Sequence, residues 1–352
     1  MRLLNTDHDP APVLSREGKR KLMKRALRCL WVRGTAVRLF PYLARNLWDM
    51  LRRGQVSAEK LLWRALSDGA PRWDEEYDLA AAFLEGGSAY YVADHVKAAK
   101  KAAFIHIDYA VAGYTRKLDL DCYQKMDRIF AVSESVRARF LEVYPEHEHK
   151  LEVFHNILDV SVIRRKSRLP GGFTDGYGGM RLLTVGRLTA EKALEESVEA
   201  MKLLKDAGGR FRWYVLGEGD RRGGLEKKIR ALGLTEDFIL CGAADNPYPY
   251  FAQADLYVHA SRFEGKSVAI QEAQVLGCPV LASDCGGNRE NVSDGTDGKL
   301  CPLTPEGIRD GVLWLAAHPE ERARYAGTAG QKYRNQAEGA DKLLALAGEN
   351  GG

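Results

Sequence analysis

Two glutamates, Glu264 and Glu272, lie eight positions apart in the run RFEGKSVAIQE, and an apolar-periodic segment begins between them. If a helix starts near Ser267, its free backbone N–H groups and the positive end of its dipole form a mouth that suits a phosphate. Glu272 would lie about one turn inside that helix and lean back toward the mouth, because helical side chains tilt toward the N-terminus. Carboxylates accept the hydrogen bonds that sugar hydroxyls donate, so the pattern suits a nucleotide with a sugar on each side of its phosphates.

Two cationic side chains, Arg187 and Lys192, follow the apolar run RLLTVG. Ligands of open parallel sheets bind at the carboxyl ends of strands, so both cations would face the same crevice. A guanidinium and an ammonium together neutralise a diphosphate, including the charge that develops on it as a leaving group. The alternative interpretation is that both are solvated charges at the start of a helix.

The elements that must position these residues follow from the alternation of short apolar runs with amphipathic stretches after residue 180, which predicts a parallel sheet crossed by helices. Three of the predicted strands end on a glycine, where a tight turn brings backbone close to a ligand: Gly186, Gly217 and Gly242. The predicted strands are RLLTVG (181–186), RWYVLG (212–217), DFILCG (237–242), DLYVHA (255–260) and CPVLASD (278–284). The predicted helices between them are 191–207, 220–232, 247–253 and 267–276.

A second, shorter alternation over 77–156 predicts a second sheet, from YDLAAAFLEG, KAAFIHID, RIFAVS and LEVFHN. The Gly-rich, charged segment 164–179 is predicted to link a domain over 1–163 to a domain over 180–318, with a helical tail over 319–352. Residues 15–66 instead predict basic helices. Because no strand with a Gly-rich turn is found before residue 66, the first Rossmann-like half is expected to be incomplete.

Composition narrows the class of protein. The 352 residues fit two domains, and 45% hydrophobic with 28% charged residues is typical of a soluble globular chain. No apolar stretch reaches the length of a membrane span, and no signal peptide is evident. Six scattered cysteines without a C-x-x-C pair predict reduced thiols, a cytoplasmic location and no zinc site. The net charge of +4 is concentrated in the first seventy residues, and no nucleic-acid partner is predicted.

Four blocks in order resemble the donor-binding domain of the retaining glycosyltransferases of family 4. They are GRLTAEK (186–192), LGEG (216–219), the long block 241–290 and DGTDGKLCP (294–302). The spacing of Glu264 and Glu272 matches the E-x7-E motif of that family. The resemblance is strong over 180–303 and weaker over 77–159, through FIHIDY and VFHNILD. It implies an α/β fold of GT-B architecture, in which two Rossmann-like domains face each other across a cleft.

The resemblance also implies roles toward a nucleotide-sugar donor. Arg187 and Lys192 would hold the diphosphate, Glu272 the ribose hydroxyls and Glu264 the donor sugar. His106 would contact that sugar from the opposite wall, although a lone histidine at a strand end is more often a packed or capping residue. Backbone close to the donor would come from Gly186, Gly217, Gly242, Gly265, Lys266, Ser267 and Val268.

The function implied is transfer of a sugar, with retention, from a nucleotide-diphosphate sugar to a polysaccharide, glycan or lipid-linked acceptor, with a UDP-sugar favoured. Glu264, His106, Arg187 and Lys192 are the expected catalytic residues, and neither a metal nor another cofactor is expected. Two alternatives stay open. One is a donor-binding but inactive partner subunit, which the missing Gly-rich loop favours, and the other is a nucleotide-sugar epimerase of related fold.

Three further features have competing interpretations. The D-x-D run at Asp119–Asp121 is interpreted as an acidic pair at a helix start rather than a metal motif, and EGGS (85–88) as a phosphate loop or a plain turn. Gly217, Gly219 and Gly223 miss the dinucleotide-binding spacing, which disfavours a dehydrogenase. The basic helices of 16–53 are either solvated surface or, since aromatic and aliphatic residues alternate with Arg over 38–53, a peripheral contact with anionic lipid at the inner face of a membrane.

Overall fold

The computed structural model describes residues 16–32, 34–53, 58–109, 111–333 and 339–348. The first of these residues form three helices, α1 (Arg16–Leu30), α2 (Thr35–Arg53) and α3 (Ala58–Gly69). Helix α3 packs against α1, α2 and the first helix of the sheet domain that follows. The basic segment is therefore joined to the rest of the protein through α3.

The first sheet has four parallel strands in the order of the chain, with β1 at one edge. Its strands are β1 (Glu76–Ala82), β2 (Lys97–Ile105), β3 (Arg128–Ala131) and β4 (Leu151–Val153). Its helices are α4 (Gly87–His95), α5 (Arg116–Asp119) and α6 (Glu134–Val143). Ser133 caps α6, since its hydroxyl accepts from the N–H of Val136 at 3.2 Å.

The second sheet has six parallel strands in the order β10-β9-β8-β5-β6-β7. They are β5 (Met180–Val185), β6 (Phe211–Leu216), β7 (Phe238–Gly242), β8 (Leu256–His259), β9 (Val280–Ser283) and β10 (Lys299–Cys301). The helices are α7 (Val160–Ser167), α8 (Leu194–Asp206), α9 (Arg222–Ala231), α10 (Tyr248–Gln253), α11 (Val268–Val275), α12 (Gly286–Arg289) and α13 (Pro305–Ala317). The order reverses direction between β5 and β8, which makes the space above these two strands the switch point at which such sheets bind ligands.

The end of the chain returns to the first sheet. Helix α14 (Pro319–Gln331) packs on α11 and α13, and α15 (Gly339–Gly348) then contacts β1. Leu346 of α15 is buried against a cluster of aromatic rings on that sheet, Phe104, Phe130 and Phe154. The C-terminal helix therefore covers one face of the first sheet.

The predicted strands and helices of the second sheet are found within a few residues of their predicted ends, and α2 and α13 have the predicted ends. The segment 164–179 begins inside α7 and then packs on β6, where Asp175 accepts from Arg212 at 2.8 Å.

The interpretation of the D-x-D run was wrong for Asp119. This residue ends α5 instead of starting a helix, and it is fully buried. Three hydroxyls donate to its carboxylate, from Tyr90 and Tyr109 at 2.6 Å and from Tyr144 at 2.8 Å. It is therefore the centre of a buried hydrogen-bond cluster. Asp121 does precede a short 3-10 turn, as expected.

Candidate functional site

The loops that follow β5 and β8 meet at the switch point of the second sheet. The β5 loop contains Arg187 and a 3-10 turn, Ala190–Lys192, and the β8 loop contains Glu264. The backbone carbonyl of Glu191 ties the loops together, because it accepts from the N–H of Arg262 at 2.8 Å and from the Ser261 hydroxyl at 3.0 Å. A cation-bearing loop and a carboxylate-bearing loop are thus held side by side.

A continuous chain of polar contacts runs through this site. The Lys192 ammonium donates to Oε1 of Glu264, and Nε2 of His259 lies 2.8 Å from the same oxygen. The other ring nitrogen of His259, Nδ1, lies 2.9 Å from the hydroxyl of Tyr257. Both His259 and Tyr257 are on β8 and are buried, so the sheet itself supports the Glu264 carboxylate.

The charge on Glu264 follows from these neighbours. Burial raises the pKa of the carboxyl group, but the His259 hydrogen bond and the Lys192 charge outweigh burial and hold the pKa well below its usual range. Burial lowers the pKa of His259, which favours the neutral imidazole. The site therefore holds an ionised carboxylate whose partners are an ammonium and a neutral ring.

Arg187 lies apart from Lys192. Its guanidinium is exposed and contacts Glu191 at 3.2 Å. The backbone beside it is tightly packed, because a Cβ at Gly217, whose φ is +151°, would lie 1.8 Å from the carbonyl oxygen of Gly186. Glycine at position 217 is needed for the ends of β5 and β6 to come this close.

Helix α11 begins where it was predicted to begin. Ser267 is its N-cap, and its hydroxyl accepts from the N–H of Ile270 at 3.4 Å. Glu272 lies one turn further on, is half-buried, and accepts from the Tyr248 hydroxyl at 2.9 Å. Burial raises the pKa of Glu272, in contrast to that of Glu264.

The first sheet closes over this mouth. A Cβ at Gly265 would lie 2.1 Å from the carbonyl oxygen of His106, and the Ser133 hydroxyl donates to the carbonyl of Gly265 at 3.0 Å. Nearby, the Glu290 carboxylate accepts from the N–H groups of Glu134 and Ser135, at 3.0 and 2.7 Å. The two sheet domains therefore touch at the predicted site.

His106 lies on the wall that the first sheet supplies. Its backbone N–H donates to Glu85 at 3.1 Å, so the EGGS segment supports the histidine loop. The ring Nδ1 is buried and has no hydrogen-bond partner among the residues that the structure describes. Burial lowers the pKa of His106, which keeps the ring neutral near pH 7.

The structure thus brings Lys192, Glu264, Gly265 and His106 into one place, with Gly186 and Gly217 at the adjoining strand ends. Ser267 and Val268 lie at the start of α11, and Lys266 precedes them, with burial lowering the pKa of its ammonium. Glu272 instead lies beside Tyr248, and Gly242 ends the edge strand β7, with a φ of +83°.

The sequence interpretation missed four polar residues: Tyr248, Tyr257, His259 and Glu290. One signal was present, since His259 is a polar residue at the end of the apolar strand DLYVHA, five positions before Glu264. Within the described ranges, no group of three His, Cys, Asp or Glu residues is arranged to hold a metal ion. No helix in the same ranges is long and apolar enough to cross a membrane.

Comparison with solved structures defines the fold. A glycosyltransferase from Rickettsia africae superposes with a TM-score of 0.63 at 18% identity, covering 77% of this chain and 76% of that one. TarM of S. aureus superposes with a TM-score of 0.60 at 17% identity, covering 72% of this chain and 52% of TarM. The protein has the GT-B fold, with two Rossmann-like domains.

The sequence comparison places the second domain in a family. Residues 179–318 match the family described as glycosyl transferases group 1, and this segment belongs to it. The alpha-D-kanosaminyltransferase of Streptomyces kanamyceticus is 33% identical over 48% of this chain and 46% of the relative. An N-acetylgalactosaminyltransferase of Campylobacter jejuni, named for a diphospho-undecaprenol acceptor, is 29% identical over 52% of this chain and 49% of its own length. The chain spans about half the length of these curated relatives.

Proposed function

We propose that the protein is a glycosyltransferase that moves a sugar from a UDP-sugar to a glycan or lipid-linked acceptor with retention of configuration. The observation that supports this most directly is the Lys192–Glu264 pair at the switch point, with His106 on the opposite wall. The pair offers a cation for phosphate and an ionised carboxylate for sugar hydroxyls in one place. HepE of Anabaena, solved with UDP-glucose, shares the fold with a TM-score of 0.60 at 16% identity, over 70% of this chain and 71% of its own.

In this proposal the donor lies along the line from α11 to His106. Glu272 accepts from the ribose hydroxyls, and Arg187 and Lys192 neutralise the diphosphate. Glu264 accepts from hydroxyls of the donor sugar, and the neutral His106 ring contacts the same sugar from the first domain. The backbone of the remaining predicted positions, among them Gly186, Gly265 and Val268, lines this path.

The reaction then breaks the bond between the anomeric carbon and the diphosphate oxygen and forms a bond from that carbon to an acceptor hydroxyl on the same face. The acceptor proton passes to the departing phosphate oxygen. The negative charge that develops on the diphosphate is stabilised by Arg187 and Lys192, which the proposal makes the counter-charge in place of a metal ion. Glu264 and His106 contribute orientation of the sugar.

We also propose that the protein works in the cytoplasm, at the inner face of a membrane. Residues 16–53 contain twelve Lys and Arg against two Asp and Glu. Large apolar residues are exposed along one side of α2, which suits the acyl boundary of an anionic bilayer. They are Val37, Phe40, Leu47, Trp48 and Leu51. A lipid-linked acceptor, as in the name of the Campylobacter jejuni relative, would then be presented near the cleft.

Calorimetry with UDP, GDP and UDP-sugars, followed by donor hydrolysis with and without glycan acceptors, tests the proposal. We expect UDP to bind, and the matching UDP-sugar to be hydrolysed slowly alone and faster with acceptor. UDP binding without turnover would instead identify a donor-binding partner subunit, and an epimerised donor would identify an epimerase. Absence of binding by any nucleoside diphosphate would contradict the proposal.

A further inference from the structure

We propose that His259 is a positioning residue that orients the Glu264 carboxylate toward the donor sugar, an inference that rests on the proposed function. His259 is the last residue of β8, and its side chain is 2% exposed, so it has no access to a substrate of its own. Its Nε2 reaches Glu264 Oε1 at 2.8 Å and its Nδ1 reaches the Tyr257 hydroxyl at 2.9 Å. Both ring nitrogens are therefore engaged.

The contacts fix the tautomer. An ionised carboxylate only accepts hydrogen bonds, so Nε2 of His259 must bear the proton that it donates to Glu264. In the neutral ring Nδ1 then accepts, and the Tyr257 hydroxyl is its donor. The hydroxyl also lies 3.2 Å from the carbonyl oxygen of Val185, at the end of β5. The orientation of the carboxylate is thus linked to the two strands that form the switch point.

The second partner of Glu264 cannot do this alone. Lys192 donates to the same oxygen, Oε1, but it is also the proposed ligand of the diphosphate. A bound donor would draw the ammonium toward phosphate, whereas the buried, neutral His259 has no competing ligand. His259 is therefore the contact that holds Glu264 in place when the donor is bound.

The arrangement leaves one carboxylate oxygen for the substrate. Among the described residues, the polar contacts of Glu264 go to Oε1. Oε2 is then the atom that accepts from a sugar hydroxyl, and rotation of the carboxylate would move it away from the donor. Removing His259 should therefore impair steps that involve the sugar more than binding of the nucleotide.

The test compares His259→Leu with His259→Gln, whose amide N–H reaches the position of Nε2. We expect His259→Leu to lower kcat with the UDP-sugar by roughly 10- to 100-fold, the loss of one hydrogen bond to a charged group, while the Kd of UDP changes less than about threefold. His259→Gln should restore most of the rate. Tyr333→Phe, which removes a buried hydroxyl 2.6 Å from Gln274 elsewhere in the second domain, is the control for reduced stability and should leave kcat unchanged.

Equal losses in kcat and UDP affinity for His259→Leu, no loss at all, or no rescue by Gln would overturn the proposal. A second readout does not depend on turnover. Imidazole ¹⁵N spectra, with the His259 signal assigned by its absence in His259→Gln, should show a neutral ring protonated at Nε2. A ring protonated at Nδ1 or at both nitrogens would contradict the inference, whereas wild-type protein that binds no nucleotide but shows the Nε2 tautomer would contradict only the proposed function.

Discussion

At the scale of single residues, two glutamates with the same side chain have opposite environments. Glu264 has an ammonium and an imidazole as partners, and its pKa is lowered. Glu272 has one tyrosine hydroxyl and a desolvating environment, and its pKa is raised. The sequence spacing predicted where both carboxylates lie, but it does not determine which partners reach them, because these depend on the register of β5 against β8 and of α10 against α11.

The proposed ribose role of Glu272 predicts a change in nucleotide selectivity. Wild-type protein should bind UDP more tightly than 2′,3′-dideoxy-UDP, because the dideoxy compound lacks the hydroxyls that donate to the carboxylate. Glu272→Ala should bind both compounds equally, with UDP weakened by roughly tenfold or more. Calorimetry on the four combinations measures this coupling, and a variant that still discriminates between the two nucleotides would refute the role.

The raised pKa of Glu272 predicts a pH dependence. Glu272 must be ionised to accept from two hydroxyls, and burial shifts its protonation to a higher pH than that of an ordinary glutamate, about 4.3. UDP affinity should therefore fall as the pH is lowered through this raised pKa. The affinity ratio of wild type to Glu272→Gln, measured across mildly acidic pH, isolates the effect from titration of the UDP phosphate, and a constant ratio would contradict it.

At the scale of elements, α2 shows how a periodic sequence can hide two apolar faces. Leu39 and Asn46 on one side are buried, and Tyr42 donates to the carbonyl of Leu118 at 3.1 Å. The opposite side exposes Phe40 and Trp48, and Arg52 lies 5.5 Å from the Trp48 ring. Periodicity predicted the ends of this helix correctly, yet it does not indicate which apolar side packs on the protein.

The exposed side of α2 predicts lipid binding. Wild-type protein should co-sediment with vesicles that contain anionic phosphatidylglycerol and bind weakly to phosphatidylcholine vesicles, since the basic residues require negative lipid. Replacing Trp48 and Leu51 together by Ser should lower binding by roughly tenfold or more, because two large side chains are no longer buried in the bilayer. Leu169→Ser, at an exposed leucine of the second domain, is the matched control. Equal binding by all three proteins would refute the membrane contact.

At the scale of the whole molecule, the two sheets are joined at the candidate site itself. Gly265 packs on the His106 carbonyl, and the Glu290 carboxylate binds the N-terminus of α6. The alternation of strands and helices predicted two sheets, and the resemblance to a family implied a cleft between them. The contact itself arises from residues more than a hundred positions apart in sequence, which local pattern cannot pair.

This contact predicts an effect of a single methyl group. Gly265→Ala places a Cβ 2.1 Å from the His106 carbonyl oxygen, so the domains must separate or rotate. We expect a larger radius of gyration by small-angle scattering and loss of most sugar transfer. Gly327→Ala, where a Cβ meets no atom within 4 Å, should change neither quantity. Scattering and transfer that match wild type in Gly265→Ala would show that the observed contact is not needed.

The proposed function depends above all on an ionised Glu264 beside Lys192 that binds the sugar of a nucleotide-sugar donor. The decisive experiment measures UDP binding and UDP-sugar turnover in wild type and Glu264→Gln, which keeps the size of the side chain and removes its charge. We expect Glu264→Gln to bind UDP within about threefold of wild type and to lose turnover by roughly 100-fold or more, because a charge-assisted hydrogen bond to the sugar is then missing in the transition state. Undiminished turnover in Glu264→Gln would show that the carboxylate does not have this role.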